Sequence, residues 1–365
     1  MPETTSLPAL PSPASTEYRD MVHRVLEAAT GTDPALAVGT IATVEGMSDI
    51  VEWACRGQSA DETASIWLQN FRWARVIGLT VEPSAPLPPR ADWETTAGQD
   101  LSGCDVELAH LDPTTAQALG RADMQYPARH DFPDAVSPAF IPRLTPLALY
   151  PQDSTPHLGQ LVANVTSLTH GSPEALACGV AWVFLVRTCL ASSAADSSED
   201  AARPTTPTSR IGRALADVAA VLPDDDAEQT PAPRGLRQQY AATGSSDRGF
   251  GALFAEAPET TAAVKSLARN PSAEDPSRTE CVSALVHAVR SAMEAEAPVE
   301  SGTVAGCLTR VLREAARSVD RGHGLRSLGQ AGSPSLGSVV PRAVDAGVER
   351  WTSAVRTWDD LLPRP

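Results

Sequence analysis

The residues best able to do chemistry in this 365-residue chain fall into a few short clusters. Thr32-Asp33 puts a hydroxyl beside a carboxylate just ahead of a helix-periodic apolar stretch. Thr169-His170-Gly171 precedes Ser172-Pro173-Glu174, a hydroxyl cap, a first-turn proline and an acid facing the helix dipole. Asp105, Glu107, His110 and Asp112 lie close enough to suggest a cation site, but their spacing matches no recognised ligand pattern. A polar loop leading to a helix capped by Asp112, with Pro113 in its first turn, accounts for them better. His130-Asp131 and His323 invite an acid–base role, yet no nucleophile stands beside them and loop formers flank each. They read as surface histidines. Gly329-Gln330-Ala331-Gly332, with Ser333 and Ser335, has the glycine content of an anion cradle at a helix start, and also that of a merely flexible loop.

Helices must position these groups. Leu36, Val38, Ile41, Val44, Ile50, Val51 and Ala54 keep helical spacing, with Gly57 past the end. Ser59-Ala60-Asp61-Glu62 reads as a capping box opening the stripe Ala64, Trp67, Leu68, Phe71 and Ala74, which Gly78 ends. Leu158, Leu161, Val162, Val165 and Leu168 form another stripe. A helix after Pro173 carries Leu176, Val180, Val183, Phe184 and Leu190. Two more follow, on Val282, Leu285, Val286 and Val289, and on Val304, Leu308, Val311, Leu312 and Ala315. Strand-like alternation is absent. The expectation is an all-α protein: one large helical bundle over 18–362 after a disordered tail at 1–17. Pro/Ser/Asp-rich loops are expected at about 192–209 and 223–237, and a proline-rich hinge at Pro83–Pro89. Residues 191–276 find no role in this scheme.

Composition narrows the function. The formal charge is −16, without the basic footprint a nucleic-acid binder needs, and no anionic membrane surface suits it. A basic partner protein would suit it. Hydrophobic residues make up 42% and aromatics only 5%, and abundant alanine favours helix over sheet. The six cysteines contain no C-x-x-C pair and read as buried small hydrophobes in a reducing compartment, which places the protein in the cytoplasm. No apolar run approaches the roughly 20 residues of a membrane span.

Thr169-His170-Gly171-Ser172-Pro173-Glu174-Ala175 resembles the Thr-His-Gly helix start in the middle of the ADP-ribosylglycohydrolases. Arg143-Leu144-Thr145-Pro146 is similar to that family's Met-Arg-x-x-Pro segment, one helix upstream. Thr32-Asp33-Pro34-Ala35 sits where the family has Thr-Asp-Asp-Thr, and Gly332-Ser333-Pro334-Ser335-Leu336 where it has Gly-Asp-Thr-Asp-Thr opening a helix, here from about Gly337. The resemblance spans Thr32 to Leu190 and roughly Asp275 to Leu361. It implies a helical bundle whose active members hold two magnesium ions and hydrolyse the bond between ADP-ribose and a protein side chain.

The departures fall on the metal-holding acids. Magnesium wants several anionic oxygens, and two ions want more. Here Pro34 replaces one acid, Ser333 and Ser335 replace two more, and the family's early Gly-Asp-Ala-x-Gly motif has no counterpart. The resemblance therefore implies a degenerate member with no cofactor, acting by binding or regulation on ADP-ribose or a related nucleotide. Thr32, Asp33, His170, Gly332, Ser333 and Ser335 are its pocket candidates, and Asp33 is the one metal ligand if any site survives. Two alternatives stand beside it. One is an active magnesium hydrolase that borrows acids such as Asp105 or Asp131. The other is an acidic interaction module with no ligand pocket.

Overall fold

The computed structural model describes residues 9–102, 104, 106, 108, 111–151, 154–195, 206–222, 249–272, 277–294, 299, 303–317 and 338–361. Among them are fourteen α-helices and no strand, as the all-α expectation requires. In chain order they are α1 (Thr16–Ala29), α2 (Pro34–Cys55), α3 (Glu62–Val76), α4 (Asp92–Leu101), α5 (Pro113–Gly120), α6 (Ile141–Leu144), α7 (Thr155–Ser167), α8 (Pro173–Ala195), α9 (Pro207–Ala220), α10 (Gly249–Ala255), α11 (Pro258–Arg269), α12 (Glu280–Met293), α13 (Val304–Ala315) and α14 (Pro341–Leu361). Short 3-10 turns flank α6 on both sides.

Local chemistry sets the helix ends. Asp33, Asp61, Asp112, Ser154 and Thr303 each accept a backbone N–H of the first turn that follows. Gly57 and Gly78 lie past α2 and α3 at φ 71° and 74°, a left-handed conformation that glycine adopts without steric cost. Two starts differ from expectation. The cap of α3 is Asp61, whose Oδ1 accepts from Ala64 N at 2.9 Å, not Ser59. Glu62 is thus released from any capping box and turns to Tyr150 and His157. The last helix begins at Pro341, because the ring sets the first-turn φ and needs no N–H partner there.

Helix α2 is the spine. It is buried along most of its length and packs on α3 and α14. Gly39 admits the Trp73 ring, whose Nε1 donates to the Ala35 carbonyl at 2.7 Å. Helix α8 is the second buried element, packed on α7, α9, α12 and α13. Its stretch Pro173–Ser192 is long and apolar enough to cross a membrane, which corrects the reading of run lengths, and 94% of it is buried inside the protein. Arg187, within that stretch, escapes a charge penalty by donating to the carbonyls of Ala148 at 3.1 Å and Tyr150 at 2.8 Å. The buried apolar side chains form one cluster from Tyr18 to Val355.

Three expectations needed adjusting. The first helix starts at Thr16, capped by Ser15, so the tail is shorter than 1–17. The loop expected at 192–209 is invaded by helix from both sides, α8 reaching Ala195 and α9 starting at Pro207; the one at 223–237 lies outside the described residues. The unassigned stretch 191–276 supplies α9, α10 and α11. Helix α11 is held by Glu174, which accepts from Glu259 N at 3.0 Å and Thr260 N at 2.9 Å and so caps a neighbour's helix. Cys178, Cys189, Cys281 and Cys307 are buried free thiols as expected, whereas Cys55 is half-buried and Cys104 exposed.

Candidate functional site

The turn between α1 and α2 carries Thr32 and Asp33. Thr30 closes α1: its Oγ1 lies 2.7 Å from the Leu26 carbonyl and 2.7 Å from Ser338 Oγ, and its carbonyl accepts from Val339 N at 3.3 Å. The Gly31 carbonyl accepts from the Arg310 guanidinium. Asp33 Oδ1 accepts from Ala35 N at 2.8 Å, and Pro34 occupies the first helical position. The Thr32 hydroxyl is buried and has no hydrogen-bond partner among the described residues. Ser338 and Val339, just ahead of the last helix, are therefore docked on this turn. Gly332, Ser333 and Ser335 themselves lie outside the described residues, as do Asp105, Glu107, His110 and His323.

The second turn, Thr169-His170-Gly171, is tightly specified. His170 is fully buried between α7 and α8. Its Nδ1 is 2.9 Å from Thr169 Oγ1, its Nε2 is 3.2 Å from Ser137 Oγ, and its ring leans on Phe140 with centroids 4.7 Å apart. Asp112 Oδ2 is 3.6 Å from Nε2. Burial holds the imidazole well below its usual range, with Arg143 and His130 adding to the effect against Asp112, so the ring is neutral and the Asp112 contact is no ion pair. Gly171 N donates to the Phe132 carbonyl, and His130 sits directly over Gly171. His130 is half-buried, with both ring nitrogens engaged: Nε2 is 2.7 Å from the Ser167 carbonyl and Nδ1 accepts from Phe132 N at 2.8 Å.

Arg143, from the Arg-Leu-Thr-Pro segment on α6, completes this knot. Its Nη2 donates to Thr169 Oγ1 at 2.7 Å and to the Val165 carbonyl at 3.0 Å, while Nε and Nη1 are buried without partners. Burial lowers its pKa to about 9. The sequence placed Arg143 in a motif but assigned it no task. Its tie to Thr169 crosses from α6 to the α7–α8 turn, and no local signal predicts it.

The partners of His170 are Thr169, Ser137, Asp112 and Phe140; Thr32 and Asp33 are not among them. Helix α6 packs on both α2 and α8, and the helix Val304–Ala315 packs on both α1 and α8, so the two turns are bridged through these elements. Asp131, one acid that a surviving metal site would borrow, instead faces Arg121 at 3.7 Å and Gln125. No group of three His, Cys, Asp or Glu side chains among the described residues is placed to hold a metal. At the first turn one oxygen of Asp33 caps α2, and a proline stands where a second acid belongs. These donors do not fit a pair of magnesium ions, which need several converging anionic oxygens.

The chain belongs to the ADP-ribosylglycohydrolase family: the sequence profile of ADP-ribosylglycohydrolase matches residues 40–346. Comparisons with curated proteins and with solved structures give no match. The matched span includes 191–276, beyond what the motifs suggested. It begins after Thr32-Asp33, and it contains His170 and 332–335.

Proposed function

We propose that the protein is a catalytically degenerate member of this family, a cytoplasmic pseudoenzyme that recognises ADP-ribose or a related nucleotide without magnesium-dependent hydrolysis. The observation that carries this reading is the α1–α2 turn, where Asp33 caps its own helix and Pro34 takes the place of a second acid. A serine hydroxyl at 333 or 335 brings no negative charge, and two dications in a low-dielectric pocket are not neutralised by hydroxyls. Losing even an outer partner of a metal costs about 10- to 100-fold in affinity or activity. What remains is shape: a buried, unpartnered Thr32 hydroxyl and a locked His170 turn.

The test uses the full chain, an ADP-ribosylated protein and free ADP-ribose. Calorimetry is expected to show ADP-ribose binding that chelator leaves unchanged, with no release of ADP-ribose from the modified protein in millimolar magnesium. Release that chelator abolishes would make it an active hydrolase. Absence of both binding and release would remove ADP-ribose as its ligand.

A further inference from the structure

At the other end of α2 lies a pocket of about 660 Å³, a size typical of small-molecule sites. It is framed by the end of α2, the start of α3, α7 and the end of α14. Rising 1.5 Å per residue, α2 separates Asp33 from Ile50 in this pocket by about 25 Å. The pocket is thus distinct from the Thr32-Asp33 turn.

Its chemistry is one-sided. Asp61 and Glu62 line it, and no lysine or arginine does. The Glu62 carboxylate is fixed: Oε1 accepts from the Tyr150 hydroxyl at 2.6 Å, and Oε2 is 2.9 Å from His157 Nε2. Against the upward push of burial, those two hydrogen bonds hold the Glu62 carboxyl below its usual range, so it stays ionised. His157 rises in turn through its bond to Glu62. Even a protonated His157 offsets only one of the two carboxylates. Asp61 lies close enough to Tyr126 to help burial raise the phenol's pKa. Among the described residues an anion has no basic side chain to meet here except that one imidazole, and Asp61 already takes one of the free N–H groups at the start of α3, that of Ala64.

The walls suit the opposite charge. Tyr126 and Trp358 contribute aromatic side chains to the lining, and Val51 and Leu161 aliphatic ones. Aromatic faces attract cations through the ring quadrupole, and an oriented carboxylate binds a guanidinium or ammonium by charge-assisted hydrogen bonds. We propose that this pocket binds an organic cation, an ammonium or guanidinium on an aliphatic stem, with Glu62 and Asp61 as its anionic partners and Tyr126 as its aromatic wall. The proposal does not rest on ADP-ribose recognition and fails or stands separately from it.

Calorimetric titration of the full chain with n-butylguanidinium, against its neutral isostere n-butylurea, tests the idea. Binding of the guanidinium at least tenfold tighter than the urea is expected. A capped Gly-Arg-Gly peptide separates the sources: binding equal to or tighter than that of n-butylguanidinium points to a protein-borne arginine, weaker binding to a free small amine. E62Q should weaken the guanidinium about tenfold, the usual worth of one charge-assisted bond. Since E62Q also alters the Tyr150–His157 cluster, D61N and Y126A carry the test independently. Asn caps helices as well as Asp does, and Tyr126 is 48% exposed, so both variants are expected to fold. Each should weaken binding about two- to fivefold. ADP-ribose binding should not change in any variant. Equal affinity for guanidinium and urea, no binding of either, or affinity unmoved by D61N and Y126A overturns the proposal.

Discussion

Replacing Arg350 by methionine should destabilise the protein strongly at neutral pH and much less in mild acid. Arg350, on α14, reaches three carboxylates spaced along one face of α2. Its Nη1 pairs with Glu45, Nη2 lies 2.6 Å from Asp49 Oδ1, and Nε lies 2.9 Å from Glu52 Oε1. Glu45 is nearly inaccessible, its side chain 4% exposed. Burial pushes the Glu45 carboxyl above its usual range and Arg350 pulls it back. Methionine keeps the aliphatic stem and removes the one counter-charge paired with Glu45 among the described residues. Breaking a buried pair costs about 3–5 kcal/mol. The arginine side chain is 32% exposed, so the cost should fall to about 2–4 kcal/mol. A carboxyl whose folded pKa is raised favours the folded state below its unfolded pKa and loses that advantage as pH rises through the folded one. In the variant that rise is larger, so the penalty should be full at pH 7.5 and shrink toward pH 5. Urea denaturation of both proteins at the two pH values measures it. A penalty under about 1 kcal/mol, or one that does not change with pH, would refute the reasoning.

Gly171→Ala places a Cβ 2.6 Å from His130 Nδ1 and 2.7 Å from its Cβ, and the ring cannot retreat without losing its bonds to Ser167 and Phe132. A loss of about 2–4 kcal/mol in denaturant midpoint analysis is expected, combining overpacking with the two hydrogen bonds. His170 should make the protein acid-sensitive. Its folded pKa is depressed by burial, so its contribution is present above the ordinary imidazole value and lost as pH falls below it. Between pH 6.5 and 5 the wild type should lose about 2 kcal/mol that an H170Q variant does not, and parallel pH profiles of the two would contradict this.

Much of this architecture is written in local signals. Asp112-Pro113, Ser172-Pro173 and the glycines at 57 and 78 announce helix ends because capping is a contact between residues two or three apart. The same locality explains the errors. Ser59 and Asp61 are both competent caps, and only the position of Tyr150 and His157 on other elements decides that Glu62 points away. Glu174 reads as an acid at the start of its own helix, yet it holds α11 across 85 residues of chain. The acids at 45, 49 and 52 lie one turn apart on α2, a pattern that looks like a solvated face until Arg350 arrives from α14. In the candidate site, the Thr32-Asp33 turn was legible as a helix start, but the Arg143–Thr169 tie was not, since nothing in either segment names the other.

The docking of α14 on α1, α2 and α4 also sets a timetable. Arg350 follows Glu45 by 305 residues. At about 5–20 residues per second, a ribosome takes roughly 15–60 s to deliver the arginine after the glutamate. During that interval α2 lacks its counter-charge, and α1 lacks the Trp351 indole that donates to Tyr18 at 3.0 Å. The N-terminal helices therefore complete their packing only when the last helix arrives.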